Sequence, residues 1–153
     1  MKEEQFISTD EHGNRFYYSD KSMTVLHRED GPAIVSANGF KAWYIDGKRH
    51  REDGPAIEYT NGNKEWFIDG NCHREDGPAI EYSDGCKEWY IDGKRHREDG
   101  PAIEEVGGFK EWYIDGKRLT EEQLKNHLTL LPKNRRSRVE RVLRYALCSD
   151  SRR

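Results

Sequence analysis

Histidine and two carboxylates recur together along this chain, inside the octapeptide HREDGPAI that begins at His27, His50, His73 and His96. In the second copy they are His50, Glu52 and Asp53, residue types that bind divalent cations. A metal site needs several ligands to converge at one place, whereas this set returns every 23 residues. The pattern therefore favours a structural role, and the sequence predicts neither a metal nor another cofactor.

Signatures of catalysis are missing from the sequence. There is no nucleophile-elbow motif and no phosphate-binding loop, and the carboxylate pairs return in every copy. The cysteines Cys72, Cys86 and Cys148 are odd in number and lack the CxxC spacing of a zinc or redox site. We therefore predict a protein that is not an enzyme.

A second landmark keeps the 23-residue period, and it defines the repeats. Each of four tryptophans is followed by an aromatic residue and then Ile-Asp-Gly; they are Trp43, Trp66, Trp89 and Trp112. Four repeats, numbered 1 to 4, therefore span 27–49, 50–72, 73–95 and 96–118. The stretch 13–20 resembles the second half of a repeat, with Tyr17 in the tryptophan place, so residues 1–26 are predicted to form an N-terminal half-repeat cap.

Each repeat has the composition of a β-hairpin. In repeat 2, short aromatic and β-branched runs are separated by Asn61-Gly62 and by Asp69-Gly70, dipeptides typical of type I′ turns. The repeats are thus expected to form an elongated antiparallel meander. Strict alternation would place on the core face Ile57, Tyr59, Trp66 and Ile68. The opposite face would take Ala56, Glu58, Glu65 and Phe67.

The segment His-Arg-Glu-Asp-Gly-Pro joins successive hairpins and is predicted to form a structural corner in each repeat. We expect Gly54 to supply unusual backbone angles, Pro55 to open a strand, and the Asp53 carboxylate to accept backbone N–H groups in an Asx-turn. The corner residues in repeat 2 are therefore His50, Arg51, Asp53, Gly54 and Pro55. With two strands per repeat, Arg51 can lie between carboxylates of neighbouring repeats.

Residues 119–153 depart from the repeat. Thr120 and Gln123 form a capping-box pattern, so a helix should begin at Glu121 and end before Pro132. A second helix is predicted over 135–147, with an apolar stripe and a basic side made of Arg135, Arg136, Arg138, Arg141 and Arg144. This segment carries a net charge of +5 against −8 for residues 1–118, so we expect the helical pair to pack on the end or face of the sheet.

The bulk composition agrees with a thin folded structure in a reducing compartment. Charged residues make up 36% and hydrophobic residues 33%, which leaves little material for a thick core. Four Trp, eight Tyr and five Phe argue against disorder. No apolar run reaches the roughly 18 residues of a membrane span and no secretion signal is visible, so a cytoplasmic location is expected.

The 23-residue unit with its Trp-Tyr-Ile-Asp-Gly run resembles the MORN repeat and its bacterial YwqK-type variant. The unit differs from the usual MORN pattern in having HREDGPA where a Gly-x-Gly stretch would be expected. The HREDGPAI motif also resembles that of uncharacterised repeat proteins of phages and mobile elements. If the protein is phage-encoded, this resemblance implies a location in the host cytoplasm. These resemblances imply an elongated twisted sheet used for docking.

The preferred function is therefore a protein-binding repeat scaffold, such as a phage- or mobile-element-encoded inhibitor of a host defence protein, or an antitoxin-like factor. The candidate binding residues are Trp43, Tyr44, Trp66, Phe67, Trp89, Tyr90, Trp112, Tyr113, Glu58 and Glu81. One alternative is a carbohydrate- or lipid-binding array that uses the Trp and Tyr positions. Another alternative is nucleic-acid binding through the basic C-terminal helix. The repeats themselves are acidic, which disfavours nucleic-acid binding along the sheet. The same helices could also mediate self-association.

Overall fold

The computed structural model describes residues 5–130, and they form antiparallel β structure followed by one helix. The predicted mainly-β fold class is confirmed. Ten strands build one continuous sheet, in which each repeat contributes two neighbouring strands. In their order across the sheet they are β1 (Phe6–Thr9), β2 (Arg15–Tyr18), β3 (Ile34–Val35), β4 (Lys41–Ala42), β7 (Ile57–Glu58), β8 (Lys64–Glu65), β11 (Ile80–Glu81), β12 (Lys87–Glu88), β15 (Ile103–Glu104) and β16 (Lys110–Glu111).

Every repeat also forms a second, small hairpin outside this sheet. The sequence pattern had predicted only one hairpin per repeat. These pairs are β5 (Tyr44–Ile45) with β6 (Lys48–Arg49), β9 (Phe67–Ile68) with β10 (Asn71–Cys72), β13 (Tyr90–Ile91) with β14 (Lys94–Arg95), and β17 (Tyr113–Ile114) with β18 (Lys117–Arg118). Consecutive small hairpins are linked by a backbone bond, as where the Gly70 N–H donates to the Arg49 carbonyl at 2.9 Å.

The tryptophan separates the two hairpins of a repeat. The Trp66 N–H donates to Ala79 of the next repeat at 2.8 Å, and its carbonyl accepts from the His73 N–H at 3.1 Å. Because both backbone groups of Trp66 bond to the next repeat, the strand does not continue straight from β8 into β9. The predicted alternation through Trp66 and Ile68 is therefore interrupted.

The two predicted turns of a repeat differ. Asp69 and Gly70 both have positive φ, 49° and 84°, as a type I′ turn requires, which confirms that prediction. At the other turn only Gly62 is positive, at 91°, and its N–H donates to the Tyr59 carbonyl at 3.0 Å. This is a three-residue loop with a left-handed glycine, so the type I′ prediction for Asn61-Gly62 is wrong.

The extra loop residue changes which side chains share a face. A two-residue loop would set Glu58 opposite Glu65, whereas the structure pairs Ile57 with Glu65 and Glu58 with Lys64. Directly opposite residues lie on the same face, so Glu65 shares the face of Ile57 and its predicted place on the other face is wrong. The opposite face carries alternating lysine and glutamate, in the order Lys41, Glu58, Lys64, Glu81, Lys87, Glu104 and Lys110.

The core is thin and built largely from small side chains. One alanine per repeat is fully buried; these are Ala33, Ala56, Ala79 and Ala102. Ile57 is also buried, whereas Tyr59, predicted to be core, is 36% exposed. The prediction that Ala56 lies away from the core is wrong, because Ala56 is buried where its carbonyl accepts the backbone N–H of Trp43, in the preceding repeat, at 2.8 Å.

The N-terminal cap reproduces most of a repeat. Tyr17 makes the backbone bonds of the tryptophans, donating to Ala33 at 2.8 Å and accepting from His27 at 3.0 Å. The Arg28 guanidinium lies 4.0 Å from its ring centroid. In addition, β1 pairs with β2, so the cap contains a complete first hairpin that the sequence pattern did not show.

One helix, α1 (Glu121–Leu130), follows repeat 4 and begins where the capping box predicts. The Gln123 N–H donates to Thr120 Oγ1 at 3.2 Å and the Thr120 N–H donates to Gln123 Oε1 at 2.9 Å. Leu124 is buried, and His127 Nε2 lies 3.2 Å from the Glu98 carbonyl oxygen. Helix α1 therefore packs against the corner of repeat 4.

The second predicted helix, 135–147, with Arg135, Arg136, Arg138, Arg141 and Arg144, lies outside the described residues. Among residues 5–130, no helix has the length and apolar character needed to cross a membrane.

Candidate binding surface

An arginine organises each corner and joins it to the preceding repeat. Arg51 Nε donates to Asp53 Oδ1 at 2.8 Å, and Nη1 donates to the Pro55 carbonyl and to Glu58 Oε1, both at 3.2 Å. The same guanidinium lies 4.0 Å from the ring centroid of Trp43, in repeat 1. Equivalent stacks join Arg74 to Trp66 and Arg97 to Trp89. The arginine thus links neighbouring repeats, through a cation–π contact with the preceding repeat and charge-assisted hydrogen bonds within its own.

The corner glycine leaves room for this arginine. The prediction that Gly54 supplies unusual backbone angles is therefore wrong. Gly54 does not have a positive φ; a Cβ built on it would lie 3.0 Å from Arg51 Cζ. The residue must be glycine so that the guanidinium can lie close to the backbone. Asp53 is likewise held by its arginine instead of forming the predicted Asx-turn, and hydrogen bonding to Arg51 lowers the pKa of its carboxyl group.

The histidine ties the corner to the type I′ turn of its own repeat. His50 Nδ1 lies 3.0 Å from Asp69 Oδ1 and accepts the Asp69 backbone N–H at 3.2 Å. Glu52 is the other nearby acid, 3.9 Å from His50 Nε2. Within residues 5–130, no group of three or more His, Cys, Asp or Glu side chains is arranged to hold a metal ion.

The tryptophans proposed as a binding platform are partly covered by the chain itself. Trp43, Trp66 and Trp89 are half-buried, with an arginine of the following repeat 3.9–4.1 Å from each ring centroid. Trp112 has no following repeat, and its Nε1 is buried without a hydrogen-bond partner in the described part of the chain. The tryptophans therefore contribute mainly to the junctions between repeats.

The aromatic residues that follow them support the small hairpins. Tyr44, Phe67, Tyr90 and Tyr113 all begin such a hairpin and are half-buried. Tyr90 donates to Glu88 Oε2 at 2.8 Å, and Arg95 Nε donates to the same oxygen at 3.1 Å. Tyr82 donates to the other carboxylate oxygen, Glu88 Oε1, at 3.1 Å. These contacts hold the small hairpin of repeat 3 onto the main sheet.

The two candidate glutamates also have structural partners. Glu58 and Glu81 are about one-third exposed, and each accepts from the corner arginine of its repeat, Arg51 or Arg74. Their carboxylates are therefore engaged within the fold, although they remain accessible from one side.

The acids of the corners, which were predicted to have a structural role, are highly exposed in the first three repeats. The side chains of Glu52 and Asp53 are 86% and 84% exposed. We call the corner acids the acidic ridge: Glu29, Asp30, Glu52, Asp53, Glu75, Asp76, Glu98 and Asp99. Between the first two corners the ridge borders an open groove of about 790 Å³ whose lining includes Trp43 and Ile45. Charge and apolar surface thus lie side by side.

Helix α1 covers the last part of this ridge. Asp99 is 37% exposed, whereas its counterparts Asp30, Asp53 and Asp76 are 80–85% exposed. Gly100 is buried as well, unlike the corner glycines of the other repeats. The first three corners are therefore the accessible ones.

Comparison with known proteins adds no family assignment. No family model matches the chain, and no curated protein matches it.

Proposed function

We propose that this protein is a non-enzymatic scaffold that binds a protein partner with a basic surface along the acidic ridge. The observation that carries the proposal is the contrast, within each corner, between an arginine bonded to the fold and two acidic side chains exposed to solvent. The arginine faces inward and holds the aspartate in place by a hydrogen bond, while the aspartate and the neighbouring glutamate are both exposed. The same arrangement is present in repeats 1 to 3.

Braced carboxylates suit binding for two reasons. A side chain that is already ordered loses less rotamer freedom on association, so less of the interaction energy is lost. A row of like charges also steers a basic partner towards the surface and raises its association rate. The groove beside Trp43 and Ile45 adds apolar area that a partner side chain can bury.

The proposal extends to an inhibitor of a host protein or an antitoxin-like factor, as the resemblance to phage and mobile-element repeat proteins implies. An acidic surface of this kind would occupy a basic site on its target. Binding of carbohydrate through the tryptophans is less favoured, because three of the four rings are stacked by arginine.

The test combines capture with a charge-neutral ridge variant. Full-length protein captures its partner from bacterial lysate, and the affinity of the purified pair is then measured at two salt concentrations. The double variant Glu52→Gln/Glu75→Gln should weaken binding by about tenfold or more, because it removes two exposed charges without touching the arginine braces. A matched control, Glu105→Gln/Glu122→Gln, changes exposed acids elsewhere and should bind normally.

Equal affinity of the ridge variant and the control would refute the acidic ridge as the binding surface. A titration of tryptophan fluorescence with glycans and anionic vesicles should stay flat. A saturable change with a glycan would favour the carbohydrate function instead.

A further inference from the structure

Successive repeats meet through one recurring junction. The second sheet strand of a repeat pairs with the first strand of the next, as β4 pairs with β7 through Lys41 opposite Glu58 and Ala42 opposite Ile57. The tryptophan amide then donates to the alanine carbonyl of the next repeat at 2.8 Å, in all three junctions between full repeats. Each junction therefore has a second-strand half and a first-strand half.

The loops of neighbouring units stack in the same order. A Cβ built on the left-handed loop glycine would lie 3.2–3.8 Å from a side chain of the following loop. The glycine and side-chain pairs are Gly13 with Ala37, Gly39 with Thr60, Gly62 with Ser83, and Gly85 with Val106. Loop stacking is thus part of every junction.

The C-terminal end of the sheet presents a second-strand half that nothing in the described chain completes. Strand β16 pairs only with β15. Among the described residues the Trp112 N–H donates to no backbone carbonyl, unlike the N–H groups of the other tryptophans, whereas the Trp112 carbonyl accepts the Leu119 N–H at 2.9 Å. Gly108 has the same positive φ as the other loop glycines, 88°, but no described atom lies within 4 Å of its Cβ position. Beside it, Val106 is 69% exposed and Phe109 is 49% exposed.

Helix α1 does not close this edge. Its contact with Glu98 is at the corner, which precedes β15, whereas Val106 and Gly108 belong to the loop that follows β15. The corner and the loop lie at opposite ends of that strand, so within residues 5–130 the contact of α1 leaves the loop end of β16 uncovered.

The N-terminal end presents the matching first-strand half. In β1, Ser8 lies opposite Phe16 and Thr9 opposite Arg15, the register that Ile57 and Glu58 adopt in repeat 2. Strand β1 is therefore a first strand with no second strand before it. By this register Ile7 takes the place of Ala56, yet it is 52% exposed where the alanine is fully buried.

We propose that a second copy of this chain completes the junction, pairing its β1 with β16 of the first copy, head to tail. The interior register sets Lys110 opposite the second copy's Thr9 and Glu111 opposite its Ser8. The Trp112 N–H donates to the second copy's Ile7 carbonyl. The second copy's Glu11 lies over Gly108 of the first copy, just as Thr60 lies over Gly39 within one chain. Two different surfaces meet in this contact, so it does not close on itself and copies add in a row.

A register-specific cross-link tests this pairing. In full-length protein whose native cysteines are replaced by alanine, a Thr9→Cys copy is mixed with a Lys110→Cys copy under mild oxidation. The expected result is at least about tenfold more disulfide-linked dimer than for Thr9→Cys mixed with Lys87→Cys, because the two sulfurs lie within bonding distance only in the first pair. Lys87 is the matched interior control, since its partner strand β15 is already in place.

Edge blocking provides the second readout, on the wild-type cysteines. Light scattering should show the average mass rising over about a hundredfold range of concentration. Lys110→Pro should abolish the rise, because proline cannot donate from an edge strand. Lys21→Pro is the control, since Lys21 is the second residue of the Asp20–Met23 turn and tolerates proline there.

Equal cross-linking of the Lys87 and Lys110 copies, or a monomer at every concentration, would overturn the proposal. Association that survives Lys110→Pro would also overturn it, and would favour self-association through the segment after Leu130. None of these outcomes bears on the acidic ridge, which lies at the corners.

Discussion

At the residue scale, the corner arginine depends on the glycine three positions later. A Cβ built on Gly100 would lie 2.7 Å from Arg97 Cζ, the closest such approach among the corner glycines. Arg97 also stacks on Trp89, 3.9 Å from its ring centroid, and bonds to Asp99, Pro101 and Glu104. Displacing this guanidinium would loosen several contacts at once.

We expect Gly100→Ala to lower the free energy of unfolding by about 1–3 kcal/mol, the usual cost of overpacking a filled site. Urea unfolding followed by tryptophan fluorescence measures it. The control is Gly107→Ala in the same repeat, where no atom of residues 5–130 lies within 4 Å of the Cβ position and φ is not positive. Equal midpoints for the two variants would contradict the proposed role of the glycine.

A second residue-scale prediction concerns alkaline pH. Burial, with the hydrogen bond and charge of Glu88, raises the pKa of Tyr82 and of Tyr90 to about 12. Because the folded pKa lies above the unfolded value near 10, the stability that these phenols contribute is fully present below pH 10. It is lost as pH rises from 10 towards 12.

Spectroscopic titration of phenolate should therefore show tyrosines that ionise near pH 12. Tyr82→Phe should remove one late-ionising group, and the urea midpoint of this variant should fall less steeply above pH 10. An unchanged phenolate titration curve in the variant would contradict the predicted shift.

At the element scale, α1 is the only helix among the described residues, and it contacts repeat 4 through His127, beside the Glu98 carbonyl. Leu124 is 4% exposed, whereas Asn126 is exposed. Leu124→Ala should cost about 2–5 kcal/mol, because it leaves a cavity under the helix, and Asn126→Ala should cost little. Amide hydrogen exchange at Leu119, whose N–H donates to the Trp112 carbonyl at 2.9 Å, provides the local readout. Protection there should fall in the leucine variant and persist in the control.

The elements show where sequence patterns suffice. The capping box of α1 and the Asp-Gly turns were predictable, because each depends on bonds or dihedrals within a few residues. The register of the sheet hairpins was not, because Asn61-Gly62 occurs both in two-residue turns and in three-residue loops with a left-handed glycine. That single extra residue moved Glu65 to the face of Ile57.

At the scale of the whole molecule, periodicity made the architecture predictable but did not reveal the proposed binding surface. The 23-residue spacing implies equivalent junctions before any contact is known. It does not reveal that Arg51 reaches back to Trp43, since that contact depends on how neighbouring repeats are offset. For the same reason, the exposure of Glu52 beside the inward-facing Arg51 could not be read from the octapeptide.

Equivalent junctions lead to a final prediction, that one whole repeat is dispensable. Deleting residues 73–95 joins Cys72 to His96, so Arg97 would stack on Trp66 and Ala102 would accept the Trp66 amide, as Arg74 and Ala79 do now. In a linear array, stability is approximately a sum of repeat and junction contributions. The shortened chain should therefore fold with native-like circular dichroism and a lower unfolding temperature, having lost one repeat and one junction. Deleting residues 84–95 instead removes part of a period, which places a corner against the wrong strand. That control should fail to unfold cooperatively, and equal behaviour of the two deletions would contradict a modular array.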